Sequence, residues 1–182
     1  MSAYISRFPI RANIRGDSLD TITPDRLSQI WDTLEDEERV PWLFYDGLTA
    51  NKEDYIRFMC DPQVYAYAVY DHNGETPLAT YFVNNFVGDA AMMHYCFFMA
   101  GQDRRYEIGI DTCNFLLRNS GISALIGLTP RPFRHAWRYA LRCGFRVLGV
   151  IPRICKLEAV GGKPRLVDGV LTLCTPQTLL EP

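Results

Sequence analysis

AMMHYCFFM (91–99), AGQDRRYEIG (100–109), IDTCNFLLRNSG (110–121), ISALIGLTP (122–130), RPFRHAWRYALRC (131–143) and GFRVLGVIPRICKL (144–157) follow one another without a gap. They read as strand, turn, helix, strand, helix and strand. Ala91 to Met99 is an unbroken apolar and aromatic run of strand length, which predicts a central buried strand. Ile110, Cys113, Leu116 and Leu117 form a helical stripe ended by Gly121. ISALIGLTP is a short strand stopped at Pro130, FRHAWRYALRC a second helix, and extended structure resumes after Gly144.

Upstream, Thr23-Pro24-Asp25 carries capping and proline signals for a helix whose buried stripe is Leu27, Ile30, Trp31 and Leu34. Its acidic end, Glu35 to Glu38, reads as a solvated face. A shorter helix starts near Asn51, turns Tyr55, Phe58 and Met59 inward, and stops before Asp61-Pro62. Between them VPWLFYDGL (40–48) is an aromatic loop, either a lid on the core or one wall of a pocket. VYAYAVYD (64–71) and the run from Pro77 to Val83 read as a hairpin closed by His72-Asn73-Gly74. A turn over Asn84 to Asp89 then leads into the buried strand, so three antiparallel strands precede the first crossover and the sheet must be mixed. Gly161-Gly162-Lys163-Pro164 turns the chain into a last strand, Asp168 to Cys174. The expected fold class is α/β of the α+β type, with about six to seven strands and about four helices.

At 182 residues and 48% hydrophobic content the chain is expected to be one domain, 1–182, with core enough for a single layer pair. A formal charge of -2 gives no general attraction to nucleic acid or anionic lipid, although Arg131, Arg134, Arg138 and Arg142 would share one helix face. That face suits a phosphate, another subunit or water; a homodimer is compatible with it, and nucleic acid is not the expected partner. No segment has the length of apolar sequence that crosses a bilayer, and the N-terminus lacks a signal core, so a cytoplasmic protein is expected. Six cysteines stand singly in apolar stretches, without Cys-x-x-Cys spacing or a histidine at ligand distance. They read as buried thiols, and no metal site is expected.

The order of elements over Thr23 to Cys174 resembles the GCN5-related N-acetyltransferase (GNAT) superfamily as a divergent member. The resemblance implies a mixed sheet whose fourth and fifth strands splay apart, with the pantetheine of acetyl-CoA in the cleft. It also implies a pyrophosphate on backbone amides where the following helix opens, since orphan N–H groups and the helix dipole favour an anion there. The family's turn has Gln or Arg, two residues, Gly, one residue, then Gly or Ala. Registered on Gly109, the pattern puts Tyr106 and Asp111 at the outer positions, so one of three matches. Asp111 would then bring negative charge into the first turn. Arg104 and Arg105 stand beside it as phosphate ligands or as an ordinary solvated loop. The residues implied for the cofactor are Phe98, Met99, Arg104, Arg105, Tyr106, Glu107, Ile108, Gly109 and Ile110. In the family's next helix Ala136 and Gly144-Phe145 match. Phe133 replaces an Asn, and Ala140 replaces the tyrosine that protonates the departing thiolate, with Tyr139 one residue early and about 100° around the helix.

Acetyl transfer to an amine needs a deprotonated amine, a polarised carbonyl and a proton for the thiolate. His94 and Tyr95 on the central strand, Glu107 in the turn and Tyr139 on the later helix are the candidates. Successive strand residues face opposite ways, so His94 and Tyr95 cannot both reach one cleft. A nucleophilic reading of Cys96 beside His94 lacks a third orienting group. The implied activity is N-acetyl transfer from acetyl-CoA to a primary amine that the sequence does not identify. The alternative is a catalytically inactive binding or assembly module of the same fold, of the kind carried by phages and prophages, for which Trp42, Phe44, Tyr45, Tyr65, Tyr67 and Phe86 would mark the partner patch.

Overall fold

A computed structural model describes residues 7–12, 21–158 and 163–180. Thr23 caps α1 (Pro24–Asp36), its hydroxyl accepting the Arg26 N–H at 3.3 Å, and Leu27, Ile30, Trp31 and Leu34 are buried as the stripe requires. A four-residue turn of helix, α2 (Val40–Leu43), follows in the aromatic loop. Asn51 caps α3 (Lys52–Met59) by accepting the Asp54 N–H at 2.9 Å. Strands β1 (Ile10–Ala12), β2 (Tyr65–Tyr70), β3 (Pro77–Val87) and β4 (Ala90–Phe97) form an antiparallel group. A 3-10 turn, Met99–Arg104, then leads into α4 (Arg105–Asn119), β5 (Ala124–Pro130), α5 (Arg134–Arg142), β6 (Arg146–Leu157), β7 (Arg165–Cys174) and α6 (Pro176–Leu180).

The sheet runs β1-β2-β3-β4-β5-β7-β6, and every neighbouring pair is antiparallel except β4 and β5. The side chains of each strand alternate between its two faces, so the sheet carries two cores. Under α4 and α5 lie Tyr81, Met93, Ile108, Leu116, Ala140 and Phe145. Under α1 and α3 lie Trp31, Tyr55, Met59, Phe82 and Phe98. Each of the large apolar side chains among them contributes about 1.5–3 kcal/mol of burial, which sets β4 firmly between two packed layers.

Among the described residues, seven strands and four helices of eight or more residues match the expected architecture. Several boundaries differ. The β2–β3 hairpin is not closed by a two-residue Asn-Gly turn: the Asp71 carboxylate accepts the N–H groups of Glu75 and Thr76 at 3.0 and 3.2 Å, which organises a longer loop in which Gly74 takes φ 72°. Strand β3 continues to Val87, past the expected turn, and reverses at Gly88. The polar stretch before Ile110 is helical rather than a loop, since α4 opens at Arg105 directly from the 3-10 turn. Of the expected turn before the last strand, Gly161-Gly162 lies outside the described residues. Among the described residues no helix is long and apolar enough to cross a membrane.

Candidate functional site

Strands β4 and β5 pair only through Ala90, Ala91 and Met92 with Ala124, Leu125 and Ile126. Beyond that, β4 continues to Phe97 along β3 alone, and β5 continues to Pro130 along β7 alone. The two strands part in the middle of the sheet. The backbone groups they turn toward each other there have no sheet partner, and a backbone N–H or C=O so placed is a ready partner for an extended ligand. A cleft of about 1010 Å³ opens at this point. Tyr95, Cys96 and Phe97 form its strand wall, Gln102, Arg105 and Tyr106 its helix-opening wall, and α5 covers it with His135, Ala136, Arg138, Tyr139 and Arg142; Arg39 and Trp42 close the far end.

Two tyrosines define the depth of the cleft. Tyr95 donates its hydroxyl hydrogen to the Ala136 carbonyl, and Tyr139 donates to the Arg105 carbonyl, both at 2.7 Å. Their ring centroids are 5.1 Å apart, and Phe97 lies 5.1 Å from Tyr139. Burial raises both phenols well above the usual tyrosine range. A Cβ on Gly109 would stand 1.9 Å from the Tyr139 hydroxyl and 2.6 Å from the Cys143 sulfur. This glycine therefore permits close packing of α4 on α5 within the second turn of α4.

At the mouth two guanidinium groups stand close to the Tyr106 ring, Arg105 at 4.9 Å and Arg142 at 4.6 Å, and the ring stacks on Tyr139 at 5.5 Å. Hydrogen bonds from Arg105 and then Arg142 lower its phenol. Four arginines line the cleft, and among the described residues lining it there is no carboxylate. The acids nearby are engaged elsewhere. Glu107 pairs with Arg104 at 3.1 Å and Arg7 at 3.2 Å, and the Arg104 hydrogen bond holds its carboxyl below the ordinary range. Buried Asp111 accepts the Arg7 N–H at 2.8 Å, so its charge faces the N-terminal segment and not the first turn of α4. At the far end Trp42 contacts Phe133 and His135 at 5.2 and 5.6 Å, and Tyr45 meets Phe133 at 5.7 Å. The aromatic loop thus reaches across to the start of α5.

Of the residues implied for a cofactor, Arg105 and Tyr106 line the cleft. Phe98 is buried against α1 and α3, and Ile108 is buried in the core under α4. Met99 is 66% exposed and gives its N–H to the Glu37 carboxylate at 2.9 Å; Ile110 is on the surface; Arg104 sits over the Phe8 ring at 4.6 Å. The three implied catalytic residues are not brought together. Tyr139 faces the cleft although it is one position from the family's tyrosine, whereas Glu107 is held in its ion pairs. His94 lies on the other face of β4, stacked on Phe82 at 4.5 Å, with Nε2 3.2 Å from the Asn84 side-chain oxygen. Tyr95 lines the cleft, and Cys96, on the His94 side of β4, also reaches it, whereas His94 itself does not. His135, Arg39 and Gln102 were not singled out from sequence for this site. A signal existed for His135, because it shares a helix face with Arg138, Tyr139 and Arg142 at spacings of three, four and seven.

Burial pushes the His94 imidazole from 6.5 down to about 4. Between those values the unfolded chain binds a proton that the folded chain does not, so stability is full above pH 6.5 and is lost as pH falls toward 4. His94→Gln is expected to remove up to one proton from this slope, about 1.4 kcal/mol per pH unit at its steepest, as read from denaturant midpoints across pH 4–7. An unchanged slope would place the titration elsewhere.

No family model and no curated protein matches this sequence. Solved structures do. The spermidine N-acetyltransferase of Vibrio cholerae in complex with CoA and spermine superposes with a TM-score of 0.69 at 12% identity, over 96% of this chain and 98% of that one. A chimera of that enzyme with hSSAT gives 0.66 at 14% identity over 95% and 99%. A putative ribosomal-protein-serine acetyltransferase from the same organism gives 0.62 at 14% identity over 86% and 92%. At these identities the likeness is one of fold: the chain has the GNAT fold, at a sequence distance that makes it divergent.

Proposed function

With a GNAT fold and an arginine-lined cleft as premises, we propose that the chain, taken as one domain over residues 1–182 and as a cytoplasmic protein, transfers an acetyl group from acetyl-CoA to a primary amine. The observation that carries this reading is the parting of β4 and β5 beside Arg105, Arg138 and Arg142. A cosubstrate with an amide-bearing arm and a phosphorylated end needs both an open strand edge and concentrated positive charge. Arg105, Arg142 and the Tyr106 ring beside them would hold the phosphates, while the free edges of β4 and β5 would receive the arm. The bound cosubstrate supplies the activated acetyl group.

His135 is then the residue to accept the amine proton, since His94 does not line the cleft and Glu107 is tied to Arg104 and Arg7. As the C–N bond forms and the C–S bond breaks, the proton leaving nitrogen passes to the imidazole and returns to the departing sulfur. Tyr139, its hydroxyl engaged with the Arg105 carbonyl, shapes the wall. His135→Ala is expected to lower kcat about 100-fold while CoA affinity by calorimetry stays within about twofold. Equal losses in both would assign His135 to binding. Titration of CoA into the wild-type protein tests the reading as a whole, and no heat at millimolar CoA overturns it.

One observation favours a second reading, a GNAT-fold module without catalysis. Both cleft tyrosines are committed to backbone carbonyls and the Met99 N–H to Glu37, so few polar groups in the depth are free to react. Steady CoA release from acetyl-CoA with any member of an amine panel dismisses it.

A further inference from the structure

The far end of the cleft is lined differently from its mouth. Arg39, Trp42 and His135 converge there, with Phe133 behind Trp42. Trp42 remains 53% exposed in spite of these contacts, so an aromatic face is open to a ligand. The Arg39 guanidinium is held by its Nε, 3.4 Å from Glu37, and its Nη2, 3.5 Å from the Met99 sulfur. Among the described contacts Nη1 has no protein partner.

The charges at this end are as telling as the shapes. Glu37 is the acid nearest to Arg39, and both of its carboxylate oxygens accept the Met99 N–H at 2.9 Å, one of them also facing Arg39. Asp46 accepts the Leu48 N–H in its own loop at 3.1 Å. Neither lines the cleft. A polyamine carries several ammonium groups, and each one drawn from water into this cleft would meet arginine rather than carboxylate, a like-charge juxtaposition that an acceptor site selects against. A carboxylate, in contrast, finds a free guanidinium nitrogen beside a flat aromatic surface, the combination that suits bidentate or stacked recognition by arginine.

Resting on the acyltransferase reading above, we infer that the acceptor is an amine bearing a carboxylate and an aromatic or apolar body, held by Arg39 and Trp42, and not a polyamine. The geometry required is modest: the amine points toward the parting of β4 and β5, the body lies on Trp42, and the carboxylate reaches Arg39.

The test is equilibrium binding to the CoA-loaded protein, which does not depend on turnover. Three probes are titrated by calorimetry: phenylalanine, phenethylamine, which has the same body without the carboxylate, and spermidine. Phenylalanine is expected to bind about tenfold more tightly than phenethylamine, with spermidine weakest. Arg39→Gln is expected to collapse the difference between the first two. Comparable affinity of phenylalanine and phenethylamine for the wild-type protein, absence of phenylalanine binding, or tighter binding of spermidine each overturns the inference, whatever the variant does. Failure of CoA itself to bind is seen in the loading step and removes the acyltransferase reading as well, so the two failures are told apart.

Discussion

Gly101→Ala is expected to lower the unfolding free energy by about 2–3 kcal/mol. Gly101 is buried in the 3-10 turn that joins β4 to α4, and a Cβ there would lie 2.2 Å from the Leu78 carbonyl oxygen and 2.9 Å from its carbon. The neighbour is backbone, not the end of a flexible side chain, and it cannot rotate away. The same carbonyl accepts the Phe98 N–H at 3.0 Å, so displacing it also strains the last link between β3 and β4. The alternative is for the 3-10 turn to move as a body, which carries Gln102 and Arg105 away from the cleft. Denaturant unfolding measures the loss, with Gly149→Ala as the comparison, since a Cβ at Gly149 meets nothing within 4 Å. A loss at Gly101 no larger than at Gly149 would show that the turn gives way freely.

This requirement was invisible in the sequence, where Gly101 stands in a polar stretch that reads as a loop. The same is true of Gly109. Its spacing from Tyr106 and Asp111 suggested a phosphate turn, yet what demands a glycine there is the Tyr139 hydroxyl from α5, thirty positions on. Local patterns report well on local structure: Thr23 caps the helix it signals, the second helix starts directly after Asn51 as expected, and the apolar period places Trp31 and Tyr55 inward. They also gave the order of elements, and with it the fold.

The site was harder to read because it is assembled from segments far apart in the chain. Arg39 meets the cleft from the residue before α2, directly after an acidic run, Glu35 to Glu38, that by itself reads as a solvated face. Tyr139 stands one position from the family's tyrosine, yet it lines the cleft through contacts with Tyr95, Phe97 and Tyr106 that no helical wheel encodes. The alternation of β4 was legible, and it correctly required that His94 and Tyr95 part company. Which of the two took the cleft side depended on the packing of α1, α3, α4 and α5.

The paired substitution Arg105→Glu, Arg142→Glu is expected to weaken CoA binding by about 100-fold or more. Each guanidinium in contact with a phosphate contributes on the order of 1.5–3 kcal/mol, and reversal adds repulsion to the loss. Both side chains flank the Tyr106 ring and are partly solvated, so the lower end of that range applies twice, about 3 kcal/mol in all, which is two orders of magnitude in affinity. Salt separates a loss of charge recognition from a collapse of the mouth. Wild-type affinity should fall as ionic strength rises, because phosphate recognition at an open mouth is screened over about 10 Å at 0.1 M salt. The double variant should bind weakly at every salt concentration with little further dependence. Loss of the Tyr106 stacking alone would instead weaken binding while leaving the wild-type salt slope in place. Tyr106→Ala, in which both arginines remain, is expected to show that second pattern. If the charge-reversed protein binds CoA with wild-type affinity, the arginines at the mouth are ordinary surface charge and the phosphates are held elsewhere.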